Sequence, residues 1–443
     1  MSDELPKGWA TARISDVTER VPNIKPEDSP NKEFGYVDIS SIDNASFVIK
    51  DVKRIKGKDA PSRARRPIRA NDVIFSNVRT YLRNIAVVGA DCGAEVCSTG
   101  FTVLRSNAAV EPRFLFRYVL TDQFLDRVTP QQTGTHYPAT SDKVVMSEAI
   151  PLAPLAEQRR IVAKLEKLLG QVDACQQRLE KMPTLLKRFR QSILAAACSG
   201  RLTADWRKGD DGQDELPRSW ELVEFGSLIA KGPNNGLYKP QSCYGSGTPI
   251  VRIDAFYDGK ISNWSELKRL QLSKQEREQF ALADGDILIN RVNSPKFLGK
   301  CAIVRAMPEP SVYESNMMRL QLDAVRANSD YAILYLRSSQ GLVELRKNAK
   351  HAVNQSSINQ DDVKSVLFAL PPLAEQQEIV RRVAGLFALA DQLEQRLALA
   401  RKQVDKLTPS LLARAFAGQL VPQNPTDEPA EKLLARVRQT VKL

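Results

Sequence analysis

The chain occurs twice within itself, and that repetition constrains its fold more than any other feature. ELPKGW at 4–9 returns as ELPRSW at 215–220, 211 residues on. DVIFS at 72–76 matches DILIN at 286–290, an offset of 214, and NIAVV at 84–88 matches KCAIV at 300–304, an offset of 216. PLAEQ at 154–158 recurs unchanged at 372–376, and SILAAACSGRL at 192–202 matches SLLARAFAGQL at 410–420, both at 218. An offset that drifts so slowly means two copies in register from end to end, with small insertions in loops.

Within each copy the hydrophobic pattern changes once. The first 150 residues or so mix short β-rich runs (73–75, 85–88, 101–104) with a brief helical stretch at 113–120, punctuated by Gly, Pro and Asn. The second copy has runs at 287–289, 302–304 and 318–322 and a stretch at 331–337. Each reads as a compact α+β domain.

After these domains the period lengthens. From Ile161 the apolar positions are Leu165, Leu168, Val172, Cys175, Leu179, Met182, Leu186, Phe189 and Ile193. The second copy gives Ile379, Val383, Leu386, Ala390, Leu393, Leu397, Ala400, Val404, Leu407 and Leu411 at the same alternating steps of four and three. Sustained spacing of this kind predicts a coiled coil, a helix buried in an ordinary bundle being the alternative. Pro183 should kink the first helix or start a new one. Some 40 residues at ~1.5 Å rise give a rod of ~60 Å. Packed antiparallel, two such rods would set equivalent domains at opposite ends about a pseudo-twofold axis. A duplex with two half-sites, spaced by ~34 Å per helical turn, requires such a pair of readers.

Composition excludes several classes. At 443 residues the chain has room for about three domains. It has no run long and apolar enough for a transmembrane helix, and MSDELPKGW lacks a secretory pattern. Six cysteines are scattered without a CxxC pair, which argues against zinc ribbons and disulfide scaffolds and fits a reducing cytoplasm. His136 and His351 are the only histidines, too few for most zinc or His-based catalysis. Net charge is 64 − 52 = +12, distributed as +2 over 1–153, +7 over 154–208, 0 over 209–371 and +3 over 372–443. A basic balance suggests nucleic acid, yet the excess sits in one helical segment.

LPKGW and LPRSW, DVIFSNVR at 72–79 and DILINRVN at 286–293, together with IPLAPLAEQRRIVAKLEKLLGQVD at 150–173 and LPPLAEQQEIVRRVAGLFALADQLE at 370–394, resemble the specificity (S) subunits of type I restriction-modification systems. The likeness spans nearly the whole chain. It implies an α+β architecture of two tandem target recognition domains, 1–153 and 209–371, separated by two long antiparallel coiled-coil helices in spacer regions 154–208 and 372–421. A linker and amphipathic helix would follow at 422–443. It implies a non-catalytic chain that reads a bipartite, asymmetric double-stranded DNA target, one half per domain. Two methyltransferase subunits would dock on the helices and restriction subunits would join them. S-adenosylmethionine, ATP and Mg²⁺ would sit on those partners, none on this chain. Coiled-coil or partner contacts would come from Ile161, Leu165, Leu168, Val172, Leu179, Ile379, Val383, Leu386, Leu393 and Leu397.

The residues agree in lacking a methyltransferase tetrad and a phosphate loop. Asp258, Glu266 and Lys268 have nuclease-like spacing, which keeps a single-chain Mg²⁺ nuclease open as an alternative; a pure protein–protein adaptor built on the coiled coil is another. For DNA contact, base reading needs Arg, Lys, Asn, Gln or Ser on rigid segments. Candidates are Asn77, Arg79, Tyr81 and Arg83 in the first copy, and Arg291, Asn293, Ser294 and Lys296 at the same repeat position in the second. Arg63, Arg65, Arg66 and Arg69 suit phosphates or a solvated helix face. The loop 231–239 offers Lys231, Asn234, Asn235 and Tyr238, with a plain surface turn as the alternative. The polar segments 131–137 and 350–357 hold one histidine each and could face a groove, each histidine more readily a satisfied structural residue than a contact through its imidazole. Arg178, Lys181, Lys187, Arg188 and Arg190 would serve as a solvated flank, a phosphate grip or a docking surface.

Overall fold

The computed structural model describes residues 5–134, 138–207, 216–261, 263–353 and 355–441. The chain forms two compact units, 1–179 with 399–443, and 180–398. Each joins one globular copy to the beginning of one long helix and the end of the other.

Along the chain, the first unit contributes strands β1 (Ala10–Arg13), β2 (Val73–Ser76), β3 (Ile85–Val87) and β4 (Phe101–Ser106). Helices α1 (Pro112–Val119) and α2 (Asp122–Val128) follow, then β5 (Ala149–Leu152). The long helix α3 (Leu155–Cys198) comes next. The second unit has β6 (Glu221–Glu224), β7 (Ile229–Asn235), β8 (Ile287–Asn290), β9 (Val292–Asn293), β10 (Cys301–Ile303) and β11 (Met317–Leu322). It continues with α4 (Ser329–Arg337), α5 (Ser339–Arg346), β12 (Lys350–Ala352), β13 (Gln355–Ser357) and β14 (Leu367–Leu370). Helices α6 (Leu373–Asp405), α7 (Leu407–Phe416) and α8 (Ala430–Val441) end the chain.

The two units repeat one topology. An antiparallel pair ties the start of each globular copy to its end: Ala10 opposite Leu152 in β1–β5, and Glu221 opposite Leu370 in β6–β14. The central sheets run β4-β2-β3 and β11-β8-β10. Their strands carry unbroken apolar runs because both faces are covered; Val73, Ile74 and Phe75 are fully buried, as are Ile287, Leu288 and Ile289. The helices beside them start on side-chain caps: Thr121 accepts from Phe124 N, and Asn328 from Asp330 N and Tyr331 N.

The repeated PLAEQ motif clamps domain to helix. Gln158 Nε2 donates to Ala109 O and Ala153 O while its carbonyl accepts from Glu111 N. Gln376 does the same with Arg326 O, Pro371 O and Asn328 N. The glycine ending each helical repeat is fixed as well. A Cβ on Gly200 would lie 2.4 Å from Pro217, and one on Gly418 2.3 Å from Pro6; both residues have φ near +70°.

The helices are antiparallel within each unit. In the first, Leu165 of α3 shares a core with Leu412 and Phe416 of α7, and Arg401 reaches the carbonyl of Leu179. In the second, Ile193 and Leu194 share a core with Ile379 and Val383, and Arg190 pairs with Asp391 at 2.6 Å. Pro183 does not start a new helix: α3 runs through it. The interruption comes instead at Lys406, between α6 and α7, where Pro409 cannot donate to the carbonyl of Asp405. The heptad stripe is unevenly covered. Ile161, Leu165, Val172, Ile379 and Val383 are buried and Leu168, Leu179, Leu386 and Leu397 half-buried, whereas Leu393 is exposed. Helix α8 covers the first unit's core with Ala430, Leu433 and Leu434.

Candidate nucleic-acid interface

The polar segments that follow β2 and β8 each join a small antiparallel element. In the second unit it is a sheet in the order β9-β13-β12, with Asn293 opposite Ser356 and Ser356 opposite His351. In the first unit it is reduced to bridges of Val78 and Thr133 to Ala139, reinforced by Arg79 N→Pro138 O and Thr140 N→Asn77 O, both 2.8 Å. The described parts of these two segments, 131–134 and 350–353 with 355–357, therefore stand beside the post-strand segments rather than forming separate patches. His136 lies outside the described residues.

Individual candidates divide by environment. Asn77 is buried and committed to the framework, donating to Asp142 and accepting from Thr102. Arg79 and Arg83 adopt left-handed backbone conformations around a 3-10 turn, which leaves Tyr81 exposed. Arg83 pairs with Asp122. Arg79 lines a hollow of about 550 Å³ with Ile39, Arg63, Val78, Asn84 and Ala139. Arg291 is half-buried and donates to Ser315 O, and Asn293 accepts from Ser294 N. Lys296 is exposed beside Phe297.

The arginine run is not a helix face, because Ala64–Pro67 is a strand. Arg65 makes a two-pronged contact with Glu27, Arg66 pairs with Asp142 at 2.5 Å and Arg69 with Glu19 at 3.2 Å, while Arg63 is exposed. The expected loop at 231–239 is likewise β-structure as far as Asn235. Strand β7 pairs with β11 through register shifts at 229–234, and Gly232 (φ +90°) sits where a Cβ would strike Arg319 O. Lys231, Asn234, Asn235 and Tyr238 all stay exposed. On α3, Arg178, Lys181, Lys187 and Arg188 are exposed, and Arg190 faces Asp391 and Glu394.

Among the described residues no three His, Cys, Asp or Glu side chains converge as a metal site. Asp258 points to solvent and pairs with Arg337, and Glu266 sits in an exposed turn. Burial pushes the thiols of Cys97, Cys198 and Cys301 up to about 12. No helix among the described residues is long and apolar enough to cross a membrane.

Sequence inspection missed the buried carboxylates of the PLAEQ motifs. Glu375 accepts from Trp220 Nε1, Thr203 Oγ1 and Arg207 Nη1. Its counterpart Glu157 is equally buried, yet its Oε1 has no partner, and Trp9 Nε1 faces it without closing an aligned hydrogen bond. Burial raises the Glu157 carboxyl above its usual range. The repetition of Trp and Glu was the available signal.

Two copies of one α+β fold with different exposed polar elements, clamped to antiparallel helices, define a two-headed reader. The family Type I restriction modification DNA specificity domain matches residues 6–183 and again 217–399. The chain belongs to that family and is a type I specificity subunit. It is similar to the StySPI specificity subunit of Salmonella potsdam (31% identical; 96% of this chain and 92% of the relative) and to the EcoKI specificity subunit of Escherichia coli (29%; 96% and 92%). Among solved structures it resembles the HsdS subunit of Thermoanaerobacter tengcongensis, with TM-score 0.69, 30% identity, and 94% of this chain and 99% of that one covered. A chain from a study of type I restriction-modification complex assembly and conformational transition gives TM-score 0.72 at 29% identity, over 94% and 99%.

Proposed function

We propose that this chain reads a bipartite, asymmetric DNA target, one half-site per unit, and carries methyltransferase and restriction subunits without performing chemistry itself. One observation carries the reading: the two units share one topology and key framework residues (Trp9 and Trp220, Asp72 and Asp286, Gln158 and Gln376), whereas the exposed polar elements differ. Similar frameworks hold two readers alike, and differing surfaces let them read different sequences. Affinity comes largely from phosphate contacts and falls steeply with salt, while sequence choice comes from base edges.

Methyltransferase subunits dock on the helical regions. Leu389, Leu393, Leu399 and Leu407 are between 36% and 61% exposed there, and exposed leucines on helices whose other face is buried suit a protein partner. S-adenosylmethionine, ATP and Mg²⁺ belong to the partners, which methylate adenine N6 and cleave DNA in the cytoplasm. Co-expression with the neighbouring methyltransferase, followed by mapping of modified adenines in host DNA, tests this. The expected result is one split motif with a fixed gap. Methylation without a split motif, or cleavage of plasmid by the purified chain with Mg²⁺ alone, overturns it.

A further inference from the structure

The reading role just proposed leaves open which side chains choose the sequence. In the sheet β9-β13-β12, Asn293, Ser356 and His351 stand directly opposite one another. Residues opposite in antiparallel strands project from the same face. The three therefore form one polar row, ~10 Å long at ~4.8 Å per strand. The row is pre-oriented. His351 Nδ1 lies 2.8 Å from the hydroxyl of Ser356, which is itself buried, so the imidazole is held with its Nε2 edge available. Asn293 Oδ1 accepts from Ser294 N, which fixes the carboxamide and leaves its NH₂ group and the second lone pair of its oxygen for a base edge. The β12–β13 ribbon is exposed at His351, Ala352 and Gln355, and Val353 beside its tip is 92% exposed.

The first unit has the same element with different side chains. Its bridges set Val78 opposite Ala139, as Val292 is opposite Ser357, and bring Arg79 opposite Pro138. Arg79 thus holds the position of Asn293, and Pro138 that of Ser356. Gly134, next to the bridged Thr133, holds the position of His351. Elsewhere the repeat keeps its framework residues: Trp9 and Trp220, Asp72 and Asp286, Glu157 and Glu375, Gln158 and Gln376. The backbone is retained while the three side chains of the row have been replaced.

We infer that this three-stranded element determines sequence specificity, through Asn293 and His351 at one half-site and through Arg79 at the other. A two-stranded ribbon fits the major groove of B-DNA, where Asn suits adenine and Arg suits guanine by paired hydrogen bonds. A row of rigid polar edges ~4.8 Å apart spans neighbouring base pairs. The inference rests on the two-headed reading but can fail without it.

The test uses the full-length chain assembled with its methyltransferase. Wild type, His351→Ala, Asn293→Ala and Arg79→Ala are compared by mapping methylated adenines and by binding to target and random duplex at one salt concentration. His351 is exposed, and Asn293→Ala provides a second probe of the same row. His351→Ala and Asn293→Ala are expected to admit other bases at one or two positions of a single half-site, and Arg79→Ala to do so only in the other. Target affinity should fall about tenfold or more while random-duplex affinity stays within about twofold. An unchanged motif in all three variants overturns the assignment and leaves the two-headed reading intact. So does equal loss on target and random duplex, which marks a phosphate grip, or loss of methyltransferase retention with DNA reading preserved. A wild-type complex with no split motif overturns both.

Discussion

The Arg401 guanidinium donates to the main-chain carbonyl of Leu179 at 2.9 Å. Leu179 is four residues before Pro183, and its carbonyl is the one Pro183 cannot bond because proline has no N–H. A side chain from α6 thus replaces the missing backbone donor of α3. The repeat gives the contact its logic: 183 + 218 = 401, so Arg401 is the counterpart of Pro183 in the second copy. Arg401→Ala should cost about 1 kcal/mol, and Pro183→Ala should stabilise by up to about 3 kcal/mol. In the Pro183→Ala background the Arg401→Ala cost should shrink, since the carbonyl then has a helical partner. A double-mutant cycle by chemical denaturation measures that coupling; additive effects would show the bridge has no such role.

Glu375 and Glu157 are the same residue of the repeat in opposite electrostatic situations. Glu375 has three donors, among them Arg207 at 2.5 Å. Removing the cation by Arg207→Met leaves a buried charge and should cost about 3–5 kcal/mol in the second unit. Burial outweighs the pull of Arg160, itself paired with Asp427, on Glu157, and its raised pKa means the folded state holds the proton more tightly than the unfolded chain. Its contribution is therefore fully present below the unfolded pKa and declines as pH rises toward the raised folded value. Glu157→Gln should remove that decline and leave the first unit as stable as wild type, or more so, at neutral pH. Hydrogen exchange of each unit at pH 4.5 and 7.5 separates the two cases; a strong loss of protection at pH 7.5 in Glu157→Gln contradicts this account.

Gln158 and Gln376 each close three hydrogen bonds between helix and domain. Replacing either with Ala leaves buried backbone groups unpaired, for about 2–3 kcal/mol. The loss should be confined to the unit carrying the substitution, and the split DNA motif should persist where the protein stays folded. A change of motif with unchanged melting would assign these glutamines to reading instead of clamping.

Much of this architecture was legible because it repeats. Two copies of LPxxW, of the DVIF-type strand and of PLAEQ announced two like domains, and the four-and-three spacing announced the helices. What escaped was long-range pairing. Nothing local to Pro183 shows that its compensating donor lies at Arg401. The arginines at 63–69 read as a phosphate patch or a solvated helix face because their partners, Glu27, Asp142 and Glu19, come from elsewhere in the sequence. Segment 231–239 read as a loop from its Gly, Pro and Asn content, but pairing with β11 absorbs it into a bulged strand. The row Asn293, Ser356 and His351 was invisible for the same reason: its members are brought together only by strand register.

Among the described residues helix α8 has no counterpart in the first copy, which makes the two units unequal. Its Leu433 and Leu434 are buried in the first unit's core, Ala430 N donates to Gly8 O, Arg438 pairs with Asp16, and Asp427 just before it pairs with Arg160 at 2.6 Å. Gly8 and Asp16 flank β1, so α8 covers the strand that closes the globular fold. Leu434→Ala should cost about 2–5 kcal/mol, with Arg438→Ala, an exposed ion pair, costing little. Hydrogen exchange in Leu434→Ala should rise around β1 and β5 and stay at wild-type values in β6 and β14, against which no equivalent helix packs among the described residues. Equal deprotection of both strand pairs would mean that the chain unfolds as one cooperative block and that α8 stabilises the whole molecule.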